Sequence, residues 1–288
     1  VITANVMPQF NKLNIEPARD AIRQLFISRI IEAKGLNILQ SMTSYKIIPT
    51  PLAVLHACEL LSKGTKTQQG RGDLLAVDIG GATTDVYSMA SGEPTVDNTM
   101  LKGLPEPWMK RTVEGDLGMR YSLTHVYEQI PGSDNPENEY MQQVKAWVEL
   151  CTAHPDTLAA PGSEEEKLEE FLGRSAVSMA VERHCGRIAD VFTPLGLMHT
   201  QEGKDLMNVP SVIGIGGVLR NSRRPEEILK GSLYDFMHPE CTKPRKPKFY
   251  LDQKYIFASM GLLRSINPEL AFELLDKETV EIGCNATV

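Results

Sequence analysis

Asp78 and Asp85 bracket Gly80, Gly81, Thr83 and Thr84 within LLAVDIGGATTDVYS, residues 74–88. These residue types at this spacing suit the binding of phosphates and a divalent cation. The two glycines let backbone N–H groups approach phosphate oxygens, the threonines carry hydroxyl donors, and the two carboxylates can hold a hydrated metal. The same residues can also do no more than satisfy a tight turn, because Asp, Thr and Gly all favour turns.

This chemistry requires a hairpin to hold it. Residues 74–77 read as a buried strand, Gly80 and Gly81 as the turn, and Val86, Tyr87 and Met89 as the returning strand. Residues 94–100 are expected to add a third antiparallel strand, and KGLPEPWMKR, with two prolines, cannot form a long helix. VEGDLGMR, residues 113–120, then places Glu114, Gly115 and Asp116 at a tight backbone before a helix expected to reach about residue 130. Its carboxylates can equally serve the helix N-terminus. Arg111 and Arg120 can reach phosphates or stand as plain surface charges. Farther on, VPSVIGIGGVLRN, residues 209–221, sets Gly214, Gly216 and Gly217 after a short apolar strand, which also fits a simple strand-to-helix turn.

Around these segments the periodicity gives helices over 14–35, capped by Asn14 and stopped by Lys34 and Gly35, and over 50–61, opened by Pro51. Residues 139–187 are helical throughout in pattern, with a capping box at Ser163 and Glu166. His184 beside Cys185 has no spaced partner and reads as a packed pair. Residues 249–251 can form a last strand, and 252–263 a closing helix.

Composition narrows the function classes. A net charge of −7 argues against a nucleic-acid or anionic-membrane surface, and no run of about 18 apolar residues crosses the chain. Five cysteines without CxxC spacing point to a reducing compartment, with cytoplasm as the default, rather than to a disulfide framework or zinc site.

DIGGATTD resembles the phosphate motif in the C-terminal lobe of the actin, sugar kinase and heat-shock chaperone ATPase superfamily. More narrowly, GDLLAVDIGGATTDVYS with KRTVEGDLGMR resembles the MutL (glutamate mutase accessory) family, associated with adenosylcobalamin-dependent aminomutases and distinct from the mismatch-repair protein of that name. The resemblance implies an α/β fold, an actin-like ATPase (ribonuclease H-like) lobe with a mixed sheet. Its expected parts are an N-terminal inter-lobe segment (1–48), the nucleotide-binding lobe (49–270) with a helical insertion (131–195), and a tail (271–288).

The resemblance further implies ATP or ADP with Mg²⁺. Gly80, Gly81, Thr83 and Thr84 would bind phosphates, Asp78 would polarise the attacking water, and Asp78 with Asp85 would hold the metal. Glu114, Gly115 and Asp116 would line the cleft. Gly214, Gly216 and Gly217 would lie flat against adenosine, where any Cβ would collide. The implied partners are a mutase subunit and an N-terminal lobe of the same protein, since only one DxGxxTTD run is present and the superfamily needs two. The implied activity is that of a chaperone-like ATPase that reactivates or assembles the mutase. A kinase or hydantoinase-like ATP-dependent hydrolase, or a non-hydrolysing nucleotide-gated scaffold, is the alternative. The sequence departs from the heat-shock chaperones at one point: Ile48 precedes Pro49 and Thr50 precedes Pro51, where those proteins carry a glutamate before the proline.

Overall fold

The computed structural model describes residues 1–10, 12–33, 42, 47–194 and 196–283. The chain divides into two units, Val1–Leu52 and Ala53–Val288. In the first, Glu16–Ala33 is the expected helix, although the stop expected at Lys34 and Gly35 lies outside the described residues. Ile22, Leu25 and Phe26, on its expected buried stripe, are exposed.

The second unit is built on a six-stranded mixed sheet. Its strands are β1 (Leu74–Ile79), β2 (Thr84–Met89), β4 (Met109–Glu114), β7 (Ser211–Ile215), β8 (Lys248–Asp252) and β9 (Thr279–Ile282), in the order β4-β2-β1-β7-β8-β9. β1, β7 and β8 run parallel at the centre, whereas β2 is antiparallel to both β1 and β4. β1 is central because LLAVDI is apolar on both faces: Leu74, Leu75, Ala76, Val77 and Ile79 are fully buried. Each of its Leu, Val and Ile side chains contributes about 1.5–3 kcal/mol by leaving water.

One layer over this sheet is the Glu164–His184 helix, whose Leu172, Ala176, Val177, Ala180 and Val181 enter the core. Its start follows the sequence: Ser163 Oγ accepts from Glu166 N at 3.3 Å. The returning Glu166 carboxylate accepts instead from Gly162 N at 2.6 Å. Asn138 likewise caps Glu139–Ala153 by accepting from Met141 N.

The structure corrects several sequence expectations. The strand expected over 94–100 is β3 (Thr99–Lys102), and it runs parallel to β6 (Gly196–Glu202) in a separate sheet of order β3-β6-β5. The third strand on the hairpin's side of the main sheet is β4, which starts inside the proline-rich stretch read as non-helical. The expected helix over 139–187 breaks at residues 154–163 and ends at His184, and β5 (Arg187–Thr193) follows as one arm of a hairpin with β6. The tail expected over 271–288 is structured through its described residues, since the Pro268–Glu278 helix leads into β9, paired to β8. Among the described residues no helix is long and apolar enough to cross a membrane. Cys58, Cys151, Cys185 and Cys241 are free and buried.

Candidate functional site

The hairpin tip forms as its residues dictate. Ile79 and Thr84 are the last paired residues of β1 and β2, and Gly80 N donates to Thr83 O at 2.9 Å across the turn. Every other tip carbonyl up to residue 82 is taken by the VEGDLGMR segment and its continuation. Met119 N donates to Gly80 O at 3.0 Å, and Arg120 N and Tyr121 N donate to Gly81 O at 2.8 and 2.9 Å. Ser122 Oγ donates to Ala82 O at 3.0 Å. The close approach depends on Gly118, where a Cβ would stand 2.2 Å from the Ala82 carbonyl carbon. With the carbonyls held from that side, the amides of Gly81, Ala82 and Thr83 donate to no partner among the described residues.

Of these three residues Gly81 lines a cavity of ≈ 710 Å³, together with Gly80, Arg120, Gly217, Asn221 and Tyr255, and Ala82 and Thr83 continue the turn beside it. It lies across the C-terminal ends of β1, β7 and β8, the end of an open parallel sheet where ligands ordinarily bind. Gly80, Gly81 and Gly217 are therefore brought to one cavity. Gly214 faces the other way, where a Cβ would meet Leu219 Cδ1 at 2.8 Å in the core. Gly216 is a backbone requirement: its φ is +107° and a Cβ would sit 2.3 Å from Ile79 O.

The two aspartates face each other in register. Asp85 is nearly buried and bound by Arg111, whose Nη2 lies 2.7 Å and Nε 2.9 Å from Oδ1. Thr83 Oγ1 donates to its other oxygen at 3.2 Å. Asp78 has no hydrogen bond or ion pair among the described residues. Burial, then the Asp85 and Asp252 carboxylates, raise it to about 6 against the opposing pull of Arg111. Asp252, itself raised chiefly by burial, accepts from Ile256 N and Phe257 N at the start of the Phe257–Leu263 helix.

Other expected site residues are engaged elsewhere. Thr84 is fully buried and donates to Leu117 O at 2.6 Å, so its hydroxyl ties β2 to the 114–121 loop and is not available to a phosphate. Glu114 and Asp116 do not line the cavity, because Arg183 binds them at 2.7 and 2.8 Å. That contact holds Asp116 down to about 2. Nothing approaches within 4 Å of a Cβ placed on Gly115. Arg120 lines the cavity and pairs with Glu169 at 2.6 Å. His184 is a packed residue, bonded through Nδ1 to Thr112 and Nε2 to Ser88, and burial lowers its pKa well below the usual value.

Sequence reasoning missed Asp252 and Tyr255. The run Asp252 to Phe257 has the spacing of a carboxylate ahead of a helix start, a signal within reach. Tyr255 has φ +56°, which no local pattern announces.

Fold and site together define a mixed α/β protein with a glycine-bearing hairpin tip at a cavity by the C-terminal ends of its parallel strands. The family model described as "MutL protein" matches residues 1–279, and the chain is 45% identical over 284 residues to "Protein MutL" of Clostridium tetanomorphum. The chain belongs to the MutL family. The alignment covers 98% of this chain and 61% of that relative, so the chain spans less than two thirds of the relative's length.

Proposed function

We propose that this chain is the nucleotide-holding, actin-like lobe of an ATP-binding, chaperone-like ATPase that reactivates or assembles an adenosylcobalamin-dependent aminomutase. The observation carrying the reading is the run of unpartnered Gly81, Ala82 and Thr83 amides on one turn, whose Gly80 and Gly81 line the cavity while the neighbouring carbonyls are consumed. Such a turn is shaped to receive phosphate oxygens. The sheet supports the fold assignment: β4-β2-β1-β7-β8-β9 is mixed, parallel over β1, β7 and β8 and antiparallel at β2, as the resemblance implies. Membership of the MutL family supports the mutase-associated role.

The residues fit a Mg²⁺ ion. An unpaired Asp78 raised to about 6 beside Asp85 is a site whose charge a cation relieves. Mg²⁺ is commonly held by one or two carboxylates, water and phosphate oxygens, and no cluster of three or more candidate ligands is found among the described residues. Bound there, the ion would neutralise and orient phosphates. Asp78 would also orient the attacking water by accepting its hydrogen bond.

A second reading, a nucleotide-gated scaffold without turnover, is favoured by the Arg111–Asp85 pair, which occupies one of the two carboxylates. Both readings are tested by co-precipitating the mutase subunit with the full-length protein, with and without Mg-ATP, while phosphate release is measured. Nucleotide-dependent capture with release supports the ATPase, and capture without release supports the scaffold. Capture indifferent to nucleotide overturns both.

A further inference from the structure

Tyr255 combines a costly backbone with an open ring. Its φ of +56° lies in the left-handed region that bulky L-residues avoid, and a glycine there would carry no such strain. Its side chain is not packed away to compensate, because the residue is 54% exposed. It stands at the wall of the same cavity as Gly80, Gly81 and Gly217. Neighbouring Asp252 anchors the turn that presents it, by accepting the two amides that begin the next helix. Strain of this kind persists where surrounding structure enforces it, and it concentrates at ligand sites.

Its place in the sheet says which part of a ligand it meets. The free amides lie at the end of β1, Gly217 follows β7, and Tyr255 follows β8, and these three strands are adjacent and parallel. Neighbouring strands are about 4.8 Å apart, so the turn after β8 is displaced roughly 10 Å from the phosphate turn along the cavity. That is the reach from the phosphates of a nucleotide to its base and ribose.

We infer that Tyr255 is the nucleoside-contacting residue of this cavity, its ring held in a strained turn so that a base or ribose can pack against it. This rests on the proposed nucleotide reading and adds to it a residue that the sequence motifs do not contain. A phenol is neutral near pH 7, and partial burial with Asp78 and Asp252 raises this one further, so the contact is made by a neutral ring.

The test uses the full-length protein with Mg-ADP as probe, and measures affinity by calorimetry and the thermal midpoint for wild type, Tyr255→Phe, Tyr255→Ala and Tyr255→Gly. Tyr255→Phe keeps the ring and is expected to bind within about twofold of wild type. Tyr255→Ala and Tyr255→Gly are expected to bind about tenfold or more weakly, the loss ordinarily seen when a base loses its aromatic platform. Tyr255→Gly should also have an unchanged or raised midpoint, since it releases the strain. Weaker binding with undiminished stability is an outcome that a structural role for the ring does not give. Variants that bind as wild type, a glycine variant that melts well below it, or a phenylalanine variant that loses binding would each overturn the inference. Absence of Mg-ADP binding by the wild type would overturn the nucleotide reading itself, and the inference with it.

Discussion

Asp78 shows what the site costs at the scale of one residue. A carboxylate raised to about 6 is favoured neutral in the folded state, so between its ordinary value near 3.9 and 6 the fold binds the extra proton. Stability from this group is therefore greatest at low pH and is lost as pH rises through that window. The full effect is on the order of 2–3 kcal/mol. Asp78→Asn is expected to melt at nearly the wild-type temperature at pH 4 and above it at pH 7.5, while any nucleotide turnover falls. Denaturation curves of both proteins across that pH range check this, and a difference that shrinks with rising pH would contradict the assignment. Substituting Asp85 is expected to have the opposite effect on stability. From sequence, Asp85→Asn looks nearly neutral for folding, but the Arg111 pair means that the change strands a half-buried guanidinium. A loss of about 1–3 kcal/mol is expected, so reduced metal binding in this variant must be judged on the folded fraction.

At the scale of elements, the arrangement that frees the tip amides depends on the 114–121 loop lying against the hairpin. Gly118→Ala drives a Cβ into the Ala82 backbone and should cost about 1–3 kcal/mol as well as phosphate affinity, whereas Gly115→Ala meets nothing and should be close to silent. Urea melts of the pair provide the comparison, and equal midpoints would show that the loop does not brace the tip. A similar contrast separates two of the glycines expected to meet adenosine. Gly216→Val must destabilise whatever binds, because of its positive φ and the nearby Ile79 carbonyl. Gly217→Val, with nothing nearer than Asn221 Nδ2 at 3.9 Å, should fold normally and lose nucleotide, which calorimetry reads directly.

These elements also show what was legible. The phosphate hairpin could be read because an apolar run, two glycines and two flanking carboxylates all agree on one local structure. β4 could not, since MKRTVE at a half-exposed sheet edge has neither an apolar run nor clean alternation. β5 and β6, seven residues each, bury only one residue between them, so their pairing is set by the hairpin they form and leaves little periodic trace. Thr84 was misread because its hydroxyl's direction depends on Leu117, more than thirty residues away.

For the whole molecule, the cavity is lined by residues of the second unit alone. Three tip amides can contribute about 0.5–1.5 kcal/mol each as net hydrogen bonds, a few kcal/mol in all. Association alone costs an estimated 4–15 kcal/mol, so these contacts and one cavity face leave little surplus for a charged ligand that water solvates well. The relative aligned here extends well beyond this chain, which covers 61% of it, and a second wall supplied by such a further segment would close over the phosphates from the opposite side. The full-length protein is therefore expected to bind Mg-ADP at least about 100-fold more tightly than residues 1–288 alone, a difference of roughly 2.7 kcal/mol. Calorimetric titration of both, at matched magnesium and salt, makes the comparison. In the same samples, amide hydrogen exchange at Gly81, Ala82 and Thr83 should slow on binding only where the ligand is held. Equal affinities would mean that one wall suffices, and the two-lobed cleft would have to be abandoned even if the phosphate turn survived.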